Sequence, residues 1–217
     1  MIDGAIFDMD GLMFDSERVW GTLWEPALAA YGLAVPEGMP DAARGTTGDA
    51  AIAVIRRFCG PDVDAEAIFA EFYRQAELAF ARGVPPKPGL FGLLDYLTAA
   101  GVPLAVASSS PAPLIRANLE RVGIADLFAA VVCGKEVAHS KPAPDIFLEA
   151  ARRLGTVPAH TLVLEDSFPG VRAGAAGGFV TVMVPDMMAP TDEIRALATR
   201  VCASLTEVRD LLEAGEL

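Results

Sequence analysis

Phe7-Asp8-Met9-Asp10-Gly11 is where residue types and spacing near the start of the chain could do chemistry. The two carboxylates follow the apolar run Ala5-Ile6-Phe7, which is too short for a helix and is closed by a glycine, so the pattern predicts a buried strand. Alternation puts both side chains on one side of that strand. Like charges so close cost several kcal/mol in a low dielectric unless a cation or a substrate compensates them. Alone, the pair reads as a solvated Asp-Gly turn.

Three later segments add to it. Ser108-Ser109-Ser110 stands between an apolar run and a helical stretch, offering hydroxyls and free backbone N–H groups to an anion. Lys141 lies in the loop His139-Ser140-Lys141-Pro142, and Glu165-Asp166 ends another apolar run. Each has a bland account: capping serines, a solvated lysine, an acidic turn. Together they bring anion donors, a fixed cation and carboxylates from two strands to one sheet edge. That is the edge beyond the carboxyl ends of the strands, where open α/β sheets bind ligands. Carboxylates there suit Mg²⁺, a hard cation that keeps several waters and needs few protein ligands. A phosphate could then be held by the ion, Ser108, Lys141 and backbone N–H groups, leaving an aspartate free to attack.

The elements that must position these groups alternate regularly. From Leu90 the chain reads as helix to Gly101, strand Val102 to Ala107, helix to Gly123, strand Val131-Val132 and a loop from Gly134 to Ser140. A helix to Leu154, strand Thr161 to Leu164, a small-residue helix, strand Phe179 to Val184 and two final helices follow. Ser110 is expected to cap the second of these helices, and Ser204 with Glu207 to form a capping box. Such alternation predicts an α/β fold with a doubly wound parallel sheet. The segment after Gly11 is different. Val19, Trp20, Leu23, Trp24, Leu28 and Tyr31 recur at helical spacing, with Pro26 set to kink or split the run. Later helical runs follow, the last with Asp64 as N-cap. Residues 15–84 therefore read as an inserted all-helical domain, and residues 1–14 with 85–217 as the core domain. The proline-rich return, Val84 to Pro88, suits a hinge, so the insert is expected to act as a lid.

Composition bounds the function. The chain has 217 residues, 53% hydrophobic and 21% charged, enough to bury a sizeable core. A net charge of −12 without a Lys/Arg cluster disfavours nucleic acid and anionic membrane surfaces. Cys59, Cys133 and Cys202 are scattered and outside metal spacing, as expected of reduced thiols. No leader-like segment precedes the first strand, and no apolar run is long enough to span a membrane. A soluble, cytoplasmic monomer acting on a small molecule is expected.

The segments FDMDGLMFDSE (Phe7 to Glu17), VASSS (Val106 to Ser110), SKPAPDIF (Ser140 to Phe147) and LEDSFPGVRAGAAGG (Leu164 to Gly178) closely resemble the haloacid dehalogenase-like superfamily, in order and spacing. The nearer likeness is to its β-phosphoglucomutase-like branch, with the insert at the family's cap position. The resemblance implies a Rossmann-like core and Asp8 as a nucleophile that becomes an aspartyl-phosphate. Asp10 would act as general acid and then base. Mg²⁺ would be bound by Asp8, Asp166 and the Asp10 backbone carbonyl, with Glu165 a ligand or one shell out. It further implies that Ser108, Ser109 and Lys141 hold the phosphoryl group, Lys141 also keeping Asp8 ionised. In the cap, Glu17, Trp20, Arg44 and Thr46 are the candidate substrate residues.

Within that resemblance the leading expectation is a Mg²⁺-dependent phosphatase of a sugar or polyol phosphate, and the alternative is a phosphohexose mutase. Mutase members carry a histidine near the position of Trp20 and an arginine in the segment Gly45 to Asp49, and this chain has neither. Dehalogenase chemistry needs neither Asp10 nor the metal. A phosphoacceptor signalling domain has its acceptor on a later strand and lacks the long insert.

Overall fold

The computed structural model describes residues 2–44, 46 and 48–217, the side chain of Glu17 apart. Along the chain run β1 (Gly4–Phe7), α1 (Ser16–Thr22), α2 (Trp24–Ala29), α3 (Met39–Ala43), α4 (Asp49–Cys59) and α5 (Ala65–Arg82). They are followed by α6 (Leu90–Ala99), β2 (Leu104–Ser108), α7 (Ala112–Arg121), β3 (Phe128–Cys133), α8 (Asp145–Leu154) and β4 (Thr161–Glu165). The chain closes with α9 (Phe168–Ala176), β5 (Val180–Met183), α10 (Asp192–Leu197), β6 (Arg200–Val201) and α11 (Leu205–Ala214). It divides into two compact units, Met1–Asp15 with Pro85–Leu217, and Ser16–Val84.

The first unit is an α/β doubly wound sheet of six strands in the order β3-β2-β1-β4-β5-β6, with every strand pair parallel. The chain fills one side of β1 with β2 and β3, then crosses back to lay β4, β5 and β6 on the other. The reversal falls between β1 and β4, which is where such sheets open a crevice at their carboxyl ends. β1, β2 and β4 are buried along their whole length, so their sequences read as unbroken apolar runs instead of alternating ones. Ile6, Ala105, Val132 and Val163 of the sheet pack with Ile146, Phe147 and Ala150 of α8 and Ala173 of α9. Phe147 is fully buried, which contributes about 1.5–3 kcal/mol.

Several boundaries differ from the sequence reading. β2 starts at Leu104 and runs through Ser108, because Pro103 has no N–H for the ladder and enters it only as an acceptor, from Ala5 N at 3.0 Å. β3 is longer than Val131-Val132, and β6 was not foreseen. Glu207 closes only half of a capping box: its backbone N–H bonds Ser204 Oγ, but its carboxylate reaches back to Ala203 N. Where the chain leaves and re-enters this unit, Asp15 N donates to Pro85 O at 2.9 Å and Lys87 N to Met13 O at 2.8 Å. Lys87 Nζ adds Asp186 Oδ1 at 2.5 Å and Asp15 Oδ1 at 3.3 Å.

The second unit is all helical. The periodic run after Gly11 is split into α1 and α2 at Leu23, and Pro26 takes the third position of α2, where its missing N–H costs no intrahelical bond. An aromatic cluster holds this unit, with Trp24 stacked on Phe72 at 4.0 Å between centroids and Trp20 at 4.9 Å from Phe80. α5 is capped by Asp64, whose carboxylate accepts from Ala67 N. The short α3 carries no helical period in the sequence and was not expected.

Candidate active site

The site is built at the switch point. Asp8 directly follows β1, and its backbone N–H donates to Leu164 O of β4 at 3.0 Å, so it is pinned between the two strands. Glu165 is the last residue of β4 and is fully buried. A lysine from the loop before α8 joins them: Lys141 Nζ lies 2.5 Å from Asp8 Oδ1, 2.6 Å from Glu165 Oε1 and 3.3 Å from Ala107 O. The ammonium also sits 4.8 Å from the Phe147 ring centroid, a cation–π contact in a desolvated place.

Burial works against the Lys141 charge, yet the carboxylates of Asp8 and Glu165 outweigh it and hold the ammonium above the ordinary lysine range. The Asp8 carboxyl is raised as well. Desolvation pushes its carboxyl up to about 8, Glu165 and Asp10 add to the rise, and the opposing pull of Lys141 falls short.

Glu165 is committed on both oxygens. Oε1 takes Lys141, and Oε2 accepts from Asp166 N at 3.0 Å, Ser167 N at 2.9 Å and Ser167 Oγ at 2.9 Å. Ser167 Oγ in turn accepts from Gly170 N, capping α9. A Cβ on Gly170 would fall on the Glu165 carboxyl, so that position must be glycine for the buried acid to fit. Glu165 thus fastens Lys141 to the start of α9.

Asp8, Glu165 and Asp166 each offer a carboxylate oxygen, all within 4.8 Å of one another. Gly11 has a φ of 81°, and a Cβ there would fall on Asp166 Oδ2, so only glycine lets that carboxylate approach the backbone behind Asp10. An all-oxygen set fits a hard divalent cation. Since both Glu165 oxygens are already engaged, Asp8 and Asp166 fit as direct ligands and Glu165 as their support.

Asp10 meets the serine stretch. Its Oδ2 accepts from Ser110 Oγ at 2.7 Å and from Ser108 Oγ at 3.2 Å, while Oδ1 is buried with no hydrogen-bond partner among the described residues. Ser110 is therefore not the cap of α7. The N-cap there is Pro111, without a side-chain cap bond, and the Ser110 hydroxyl is turned to Asp10 instead. Ser109 is exposed and its hydroxyl joins none of these contacts. His139 ties the lysine loop to the first turn of α8 through Asp145 Oδ1, at 2.9 Å from the ring.

In the helical unit, Arg44 pairs with Asp41 at 2.9 Å and Thr46 Oγ1 donates to Ala43 O at 2.7 Å, so both serve the end of α3. Trp20 lies in the aromatic cluster. The side chain of Glu17, and Gly45 and Thr47 of the segment compared with the mutases, lie outside the described residues. Ser110 was expected to face an anion and not Asp10, and Ser167 and Gly170 were not expected at the site. Ser167 stands where an N-cap belongs, which was readable from sequence, but its bond to Glu165 was not.

A doubly wound sheet that gathers carboxylates, serine hydroxyls and a buried lysine at its switch point defines an α/β enzyme. Residues 2–178 match the family model of the haloacid dehalogenase-like hydrolases, and the chain belongs to that family. A probable pseudouridine-5'-phosphatase of Drosophila melanogaster is 35% identical over 214 residues, across 94% of this chain and 90% of that protein. Hexitol phosphatase A of Escherichia coli (strain K12) is 33% identical over 196 residues, across 88% and 86%. The crystal structure of a beta-phosphoglucomutase from Clostridium difficile shares the fold at a TM-score of 0.77 and 21% identity, across 100% and 97%. Among the described residues no helix is long and apolar enough to cross a membrane.

Proposed function

We propose that the chain is a Mg²⁺-dependent phosphatase of a small phosphorylated metabolite, of the sugar or polyol phosphate class, acting through an aspartyl-phosphate on Asp8. The observation that carries this reading is the buried lysine shared by Asp8 and Glu165 beside Asp166, with the serine hydroxyls and Asp10 on the neighbouring strand ends. Asp8 is the nucleophile. Lys141 and Ser108 hold phosphoryl oxygens, and Asp10 moves the proton. Mg²⁺ would be held by Asp8, Asp166 and the Asp10 backbone carbonyl, and when bound it supplies the positive charge that keeps Asp8 ionised and balances the phosphoryl oxygens.

A carboxylate oxygen of Asp8 attacks phosphorus, the bond from phosphorus to the substrate oxygen breaks, and that oxygen takes its proton from Asp10. Water then attacks the same phosphorus and gives a proton to Asp10. The bond to Asp8 breaks, releasing inorganic phosphate and restoring both aspartates.

Hydrolysis is favoured over transfer to a second sugar position by Trp20, which stands in place of the mutase histidine and is packed among Phe72, Tyr73 and Phe80. The names of the relatives support the same side, whereas the mutase resembles this chain in fold alone. A screen over sugar, polyol and nucleoside phosphates, read as inorganic phosphate, tests the substrate class. β-Glucose 1-phosphate tests the reaction: phosphate release is expected, and efficient conversion to glucose 6-phosphate stimulated by a bisphosphate would overturn the reading.

A further inference from the structure

We infer that Ser110 is a positioning residue of this reaction: its hydroxyl occupies Oδ2 of Asp10 while Ser108 is given over to the phosphoryl group, leaving Oδ1 as the oxygen that exchanges the proton. The inference rests on the proposed phosphatase chemistry, in which Asp10 is acid and then base. It stands on the direction of each bond. Ser108 Oγ already accepts from Ser110 N at 3.0 Å, so its own proton is free for a phosphoryl oxygen, and its bond to Asp10 Oδ2 is the longer one, at 3.2 Å. Ser110 Oγ is closer, at 2.7 Å from the same oxygen, and Ser110 has no capping bond to make at α7. The Ser110 hydroxyl donating to Oδ2 suits that oxygen as an acceptor, and the acidic hydrogen of the protonated carboxyl then belongs on Oδ1. That oxygen is buried and unpartnered among the described residues. A buried carboxylate oxygen without a donor is costly, and such groups are kept where chemistry needs them.

Ser110 is well suited to this task. Its N–H is bonded to Ser108, and the next residue, Pro111, is fixed at φ −61°, so the serine backbone is held from both sides and its hydroxyl bond orders little that is loose. A carboxyl free to rotate about χ2 would offer either oxygen. A short hydroxyl bond to one oxygen selects the other.

The test uses the full chain with Mg²⁺ and two aryl phosphates that differ in leaving group, p-nitrophenyl phosphate and phenyl phosphate. p-Nitrophenolate departs without a proton, whereas phenolate gains from one. For Ser110→Ala, kcat/KM on phenyl phosphate is expected to fall about tenfold and on p-nitrophenyl phosphate by less than about threefold. Because hydrolysis of the aspartyl-phosphate still needs the base, kcat on p-nitrophenyl phosphate should fall about tenfold, with a burst of p-nitrophenolate near one per enzyme. Ser110→Thr, which keeps the hydroxyl, should restore both values to within about threefold. An equal loss of kcat/KM on the two substrates without a burst would make Ser110 merely structural and overturn the assignment, as would an unaffected Ser110→Ala. A wild-type protein that hydrolyses neither substrate would overturn the phosphatase reading itself.

Discussion

Replacing Lys141 by methionine should destabilise the sheet-containing unit far more than it changes its shape. Methionine matches the length of the lysine stem and keeps the packing on Phe147, so what is removed is the ammonium. The charge it balances is that of the two buried carboxylates it bridges, Asp8 and Glu165. Without Lys141, a fully buried carboxylate keeps only the donors from Asp166 and Ser167. Breaking one side of a buried pair costs about 3–5 kcal/mol. In a unit of this size each kcal/mol lowers the midpoint by about 2–4 °C, so a fall of roughly 10 °C is expected. The assay is calorimetry with denaturant melts, resolving the transition of the sheet unit from that of the helical one. Glu165→Gln should cost a similar amount, since its amide would face the ammonium. In the double variant the two losses should fall short of adding by about 2 kcal/mol or more. A Lys141→Met midpoint within about 2 °C of wild type, or additive losses, would refute the view that this pair fastens the site.

Other outcomes follow from the same geometry. Asp8→Asn should fold and lose turnover by several orders of magnitude, measured as phosphate release against wild type. The raised Asp8 carboxyl makes a pH prediction: its folded value of about 8 exceeds the unfolded 3.8, so the stability it contributes is present below pH 3.8 and is lost as pH rises to about 8. In EDTA, melts over that range should show Asp8→Asn gaining on wild type, and an unchanged difference would count against it. Calorimetric titration with Mg²⁺ near pH 7 in buffers of different ionisation heat should show close to one proton released per ion, with affinity levelling off above about pH 8. Gly170→Ala should lower stability by about 1–3 kcal/mol, because its Cβ would meet the Glu165 carboxyl, and a neutral result in denaturant melts would contradict that packing.

The strand ends were legible because buried parallel strands leave short apolar runs, and the residues that break them are the ones with chemistry. Asp8, Ser108 and Glu165 could be placed on one sheet edge for that reason. The direction of a side chain at such an edge was not legible. Ser110 has the sequence position of a helix cap, and only the start of α7 at Ala112 shows its hydroxyl released to Asp10. The part played by Glu165 depends on Gly170 leaving room and Ser167 turning back, which are packing facts that no spacing encodes. Lys141 does meet Asp8, but the burial and the two neighbouring carboxylates that raise the Asp8 carboxyl depend on the packed site and not on spacing. Trp20 and Trp24 recur at helical spacing, and their packing on Phe72 follows from it. The candidates Arg44 and Thr46 make local bonds at the end of α3, to Asp41 and to Ala43 O, which spacing alone did not reveal.

The central claim is that Asp8 carries the phosphoryl group. Its most direct test is to incubate the Asp10→Asn variant with Mg²⁺ and p-nitrophenyl phosphate, quench in acid and read peptides by mass spectrometry. One added phosphoryl group on the peptide containing Asp8, absent when Asp8→Asn is combined with it, is the expected result. Turnover with no phosphorylated peptide, or a phosphoryl group on any other residue, would contradict the account.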